Sequence, residues 1–157
     1  MRTTLVIAAA IGAALNGGVL FAFSSFVMPA LNRLDPPAAI TAMQSINVTA
    51  VRPPFMLALF GTAALTVATV VLGLRDWSTP AGKLLVAGSA VYLAGVIGLT
   101  MVYHVPLNNS LLTADPTAAD AARTWADYAS GWTALNHVRA AAGVLASALL
   151  IAAQTNR

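Results

Sequence analysis

The sequence contains no cysteine, which excludes disulfides, thiolate metal ligands and cysteine nucleophiles and leaves the redox compartment unspecified. Charge is scarce too. Only 8% of the 157 residues are charged, against about 25% in an ordinary soluble domain, while 59% are hydrophobic. A water-facing surface cannot be built from so few charges. Residues 57–74 and 84–101 hold no Asp, Glu, Lys or Arg. A soluble bundle would need a polar outer face on each helix, so these stretches read as membrane spans instead. The net charge of +3 and pI near 10.0 reflect scarce acids, and the Lys and Arg are scattered without forming a stripe suited to nucleic acid. No HExxH, glycine-rich phosphate loop, nucleophile elbow or paired carboxylate is present.

Four long apolar runs remain, at about residues 5–28, 54–74, 84–101 and 138–153. They use roughly half the chain and leave room only for connections, so the expectation is one all-α domain over residues 1–157. Its architecture is an integral membrane four-helix bundle, with short interfacial helices in the first and third connections. The first run extends through Phe21, Phe23 and Phe26, too long for a signal-peptide core, and is expected to be retained as a span. Arg2, Arg75, Lys83 and Arg157 fall on the side of the termini, and Arg33, Arg52, Arg123 and Arg139 on the other. That tie leaves orientation to the short loops and chain ends, which favour cytoplasmic termini in a bacterial plasma membrane.

Asn16-Gly17-Gly18 in the first span and Gly88, Tyr92, Gly95 and Gly98 in the third fit close helix crossings, since an amide facing lipid is costly and glycine lets backbones approach. The seams suit one bundle or a homo-oligomer. Asp35-Pro36 suits the start of a helix over residues 38–51, whose period puts Met43, Gln44, Asn47 and Val51 on one face. Pro106 biases Val105 away from helix, which places His104 and Asn108 at a helix end.

The most organised pattern lies later. Trp125, Tyr128, Trp132, Asn136 and Arg139 are spaced 3, 4, 4 and 3, and in a continuous helix share a stripe about 80° wide. Such a face can stack on a flat ring and donate hydrogen bonds. An aromatic belt at the membrane surface is the alternative for Trp125 and Tyr128. His137 projects about 100° from the stripe if the helix is regular, and Gly131 could bend it. His104 and His137 are the only histidines; as a pair they would hold a metal only with Asn or water completing the shell, and stable sites usually show three or more ligands.

Phe23-Ser24-Ser25-Phe26-Val27-Met28-Pro29-Ala30-Leu31, Met43-Gln44-Ser45-Ile46-Asn47, Val105-Pro106-Leu107-Asn108-Asn109 and Trp132-Thr133-Ala134-Leu135-Asn136-His137-Val138-Arg139, in this order and with four spans, carry a resemblance across nearly the whole chain. The chain resembles a family of small four-span membrane proteins that includes the anthrone oxygenases of polyketide pathways. That family more often shows asparagine where this sequence has His104, so His137 is the family-type histidine.

The resemblance implies an oxidoreductase, a monooxygenase that uses O2 to convert an anthrone or similar electron-rich aromatic to its quinone; it leaves the cofactor open between none beyond O2 and a bound metal ion. It implies a base at His137 and charge stabilisation by Asn108, Asn136 and Arg139. Trp125 and Trp132 would stack on the ring, with Tyr128 and His104 in the binding cleft and Gln44 and Asn47 closing it. The expected partners are a small hydrophobic aromatic ligand and the bilayer. The same converging side chains would also serve a protein of another class, one that binds a lipophilic ligand or an assembly partner without chemistry.

Overall fold

The computed structural model describes residues 2–156; Met1 and Arg157, including the latter's part in the charge count, lie outside the described residues. Five helices account for almost all of it. They are α1 (Arg2–Leu31), α2 (Pro36–Ala50), α3 (Pro53–Arg75), α4 (Pro80–Leu112) and α5 (Ala121–Thr155). All but α2 are long and apolar enough to cross a membrane, and the chain is an all-α integral membrane bundle.

Prolines set the starts. Pro36, Pro53 and Pro80 each occupy the first turn, where the missing N–H would have had no partner and the fixed φ already suits a helix. Asp35 precedes α2 without a side-chain cap, whereas the Thr79 hydroxyl accepts from the Gly82 N–H at 3.0 Å. Arg2 and Asp76 form an ion pair that ties the start of α1 to the α3–α4 turn, beside a half-exposed Trp77. In the turn before α5, the Thr117 N–H and hydroxyl donate to Asp115 and hold its carboxyl below the usual carboxylate range.

The spans close into a ring in which α1 packs on α3 and α5, and α4 packs on the same two. At the end holding the termini the core is small, built on Val6, Ala9, Ala10, Leu85 and Leu150. The α1–α5 crossing is closest at Gly17 and Gly143, where a Cβ on Gly143 would sit 2.8 Å from the Gly17 Cα. Gly88 and Gly95 likewise face α5, while Gly18 opens outward. Asn16 bridges α1 to α3, its Nδ2 donating to the Ala58 carbonyl at 3.1 Å and to Thr62 at 3.3 Å. At the other end the core is large and aromatic: Met28, Met43, Leu111, Trp125, Tyr128 and Trp132 pack under α2.

Two spans do not end where their prolines suggest. Val105 stays helical (φ −63°, ψ −50°), and α4 runs past Pro106 to Leu112, so His104 and Asn108 lie within a helix rather than at its end. The reason is a wide π-helical turn, Thr100–His104, closed by the Val105 N–H bonding to the Thr100 carbonyl five residues back. It leaves room where the proline ring would strike the carbonyl four residues earlier. Phe23–Val27 repeats the device in α1, where the Met28 N–H bonds to the Phe23 carbonyl before Pro29. The helical segments on either side of residues 113–120 are therefore continuous with the spans, and α2 alone stands as a separate helix.

Candidate functional site

Helix α5 runs unbroken through Gly131, so the stripe predicted from spacing exists: Trp125, Tyr128, Trp132, Asn136 and Arg139 are all buried. Its members do different things. Trp125 donates to Asn32 at 3.0 Å and lies against Tyr128, bracing the first connection rather than facing a hollow. Gln44 is a second brace: its Nε2 donates to the carbonyls of Leu111 (2.9 Å) and Ala114 (3.0 Å), fastening α2 over the end of α4.

Below α2, between the aromatic layer and the small-residue layer, lies a cleft of about 670 Å³ to which every helix contributes. That volume is in the range of small-molecule sites. Its wall is mainly apolar, with Leu20, Phe23, Phe55, Leu59 and Phe60 among the contributors. Of the residues expected from sequence, Asn47, His104, Asn108, Trp132 and Arg139 line it.

Asn108 has a fixed orientation. Both the Tyr128 hydroxyl and the Trp132 indole N–H donate to its Oδ1 at 3.0 Å, and only the oxygen of an amide can accept. Its NH2 group is thereby left for the cleft. Trp132 in turn sits between the π-helical turns Phe23–Val27 and Thr100–His104, with Phe23 at a centroid distance of 5.8 Å and the His104 ring edge-on at 5.4 Å. Asn47 is buried with its amide beside the Tyr128 phenol.

Arg139 is the least expected group in this environment. Only 4% exposed, it has an Nε without a partner and one hydrogen bond, from Nη1 to Asn136 Oδ1 at 3.2 Å. Asn136 is locked by its own Nδ2, which donates to the Leu20 carbonyl (2.7 Å) and Ser24 Oγ (2.8 Å), so its oxygen must point at the guanidinium. Asn136 therefore positions Arg139 from behind the cleft wall. No carboxylate pairs with Arg139 among the described residues. A buried cation without a counterion is costly, and an anion entering the cleft would supply one.

The two histidines part company. His104 is buried, with Nδ1 at 3.1 Å from the Leu99 carbonyl and Nε2 at 3.3 Å from the Trp132 carbonyl. A neutral ring can donate to only one of them; an imidazolium would satisfy both. His137 is exposed, turned away from the stripe as a regular helix requires, and does not join the cleft. The two rings share no ligand set, and no group of three His, Cys, Asp or Glu gathers among the described residues.

Sequence reasoning missed Arg52 and Thr100, which also line the cleft. Thr100 lies four residues before His104 on the same face of α4, a spacing that was readable; Arg52 entered only the count of charges on either side of the membrane.

A family model described as anthrone oxygenase matches residues 55–149, which takes in most of α3, all of α4 and α5 as far as residue 149. No curated protein and no solved structure matches the chain.

Proposed function

Because the chain belongs to the anthrone oxygenase family, we propose that it holds the enolate of an anthrone-type aromatic in this cleft while O2 oxidises it to the quinone. The observation that carries the reading is Arg139, a buried guanidinium with no carboxylate partner among the described residues, on the edge of a mainly apolar cavity. Loss of a proton from the methylene of an anthrone leaves a flat, delocalised oxyanion. Arg139 matches its charge, the Asn108 amide N–H adds a donor, and Trp132 offers an aromatic wall for the rings.

The reaction balances without a further reductant. The methylene carbon loses two hydrogens and gains one oxygen atom; O2 ends as the new quinone carbonyl oxygen and one molecule of water. The enolate itself supplies the electrons, so the protein's task is to favour the enolate and keep its charge in place.

His104 is the imidazole that lines the cleft, and we assign the proton transfer to it rather than to His137. His104→Gln should lower O2 uptake with anthrone by roughly 10²-fold or more, the usual contribution of an acid–base group, whereas His137→Gln should leave it within about twofold. The opposite ranking would move the base to His137.

One observation favours a second reading, in which the protein binds such a ligand without converting it: neither His104 nitrogen is free in the ligand-free cleft. On that reading His104→Gln leaves anthrone binding intact and no variant changes O2 uptake above the background rate.

A further inference from the structure

Two of the side chains that line the cleft are also on the outside of the bundle. Phe60 on α3 is 45% exposed and Met101 on α4 is 51% exposed, and both belong to segments whose composition places them in the bilayer. Their neighbours on the outer surface, Leu57 and Val102, are more exposed still. The wall of the cavity is thus continuous with a surface that lipid covers. The cavity also reaches a second rim at Ser45, Thr49, Val51 and Arg52, which carries polar side chains beside an exposed valine and lies outside the spans.

We propose that the aromatic ligand reaches Arg139 sideways from the bilayer, passing between Phe60 and Met101, and not from water across the rim at Ser45 and Thr49. The inference rests on the cleft being the ligand site, as argued above. A fused aromatic ketone and O2 are both apolar enough to concentrate in the bilayer, and on the lateral route they stay in apolar surroundings until they meet the guanidinium. Along the other route the ligand would leave lipid, cross a polar rim and be desolvated again. The phenyl ring and the thioether are flexible, adaptable boundaries that a flat molecule can part. This accounts for why the cleft sits among membrane spans at all.

The absence of cysteine from the 157-residue chain makes the route testable. Phe60→Cys, Met101→Cys and Ser45→Cys each carry a single thiol; after reconstitution into phosphatidylcholine vesicles each is reacted with pyrene maleimide. Parent anthrone is then mixed in under nitrogen, and its arrival is followed by quenching of tryptophan fluorescence, to which Trp132 in the cleft contributes. Each unlabelled variant is the reference for its own label, so a folding defect is separated from obstruction. Labels at positions 60 and 101 should slow arrival about tenfold or more, and the label at position 45 should not. Slowing from position 45 alone, from all three positions or from none overturns the lateral route. Since binding is read without O2, failure of the oxygenase reading would show instead as anthrone that arrives normally and is not consumed once air is admitted.

Discussion

Arg139 shows how a single residue can be expensive for the fold and useful for the site. Its guanidinium is held by one hydrogen bond to an amide that is itself clamped by Leu20 and Ser24. Removing a buried ion that lacks a partner is often neutral or stabilising when an apolar group fills the space. Arg139→Leu should therefore keep or raise the melting temperature in detergent while lowering O2 uptake with anthrone by roughly 10² to 10³-fold, the scale of losing a preorganised charge donor. A variant that unfolds at lower temperature in proportion to its lost activity would make Arg139 a structural residue. The burial of Arg139 was foreseeable from its place in the stripe, three residues after Asn136 and next to an apolar span. The lack of a carboxylate beside it was not, because that depends on what four other helices bring near it.

At the scale of the element, two of the three π-helical segments among the described residues, Phe23–Val27 and Thr100–His104, set the geometry of the cleft wall, the third being Tyr92–Gly98. Each of the two widens a helix just ahead of a proline, and each delivers a ring, Phe23 or His104, against Trp132. A π turn inserts one extra residue into the helix, so removing it rotates everything beyond by about 100°. Pro106→Ala restores an N–H for the carbonyl of Val102 and lets α4 tighten. The expected result is a helix at least as stable to heat, with anthrone oxidation reduced about tenfold or more as Asn108 turns relative to His104. Unchanged turnover would show that the wide turn merely accommodates the proline. Local sequence rules place a proline at a helix end, and for α4 they mislead. The wide turn wins because Leu107, Leu111 and Tyr128 reward continuing the helix beneath α2, a tertiary gain that a window along the chain does not contain.

At the scale of the molecule, four spans in a ring place both chain ends on one side with the α3–α4 turn. Single cysteines at Thr79 and Asn156 should react with a membrane-impermeant maleimide from one side of sealed vesicles, and one at Asp115 only from the other. Labelling of Thr79→Cys and Asp115→Cys from the same side would refute the four-span topology. Length, the near absence of charge and the 3.6-residue period settled by themselves that this chain is a four-span helical bundle with a buried Trp125-to-Arg139 stripe, because lipid solvation and helix geometry act on each segment alone. The helical period already turned His137 off the stripe, but which stripe residues face a cleft, which brace α2, and that His104 comes inside were decided only by packing. Those outcomes turn on small shifts in helix register and on partners distant in the chain, such as Asn108 with Trp132 and Asn136 with Ser24, and no local pattern encodes them.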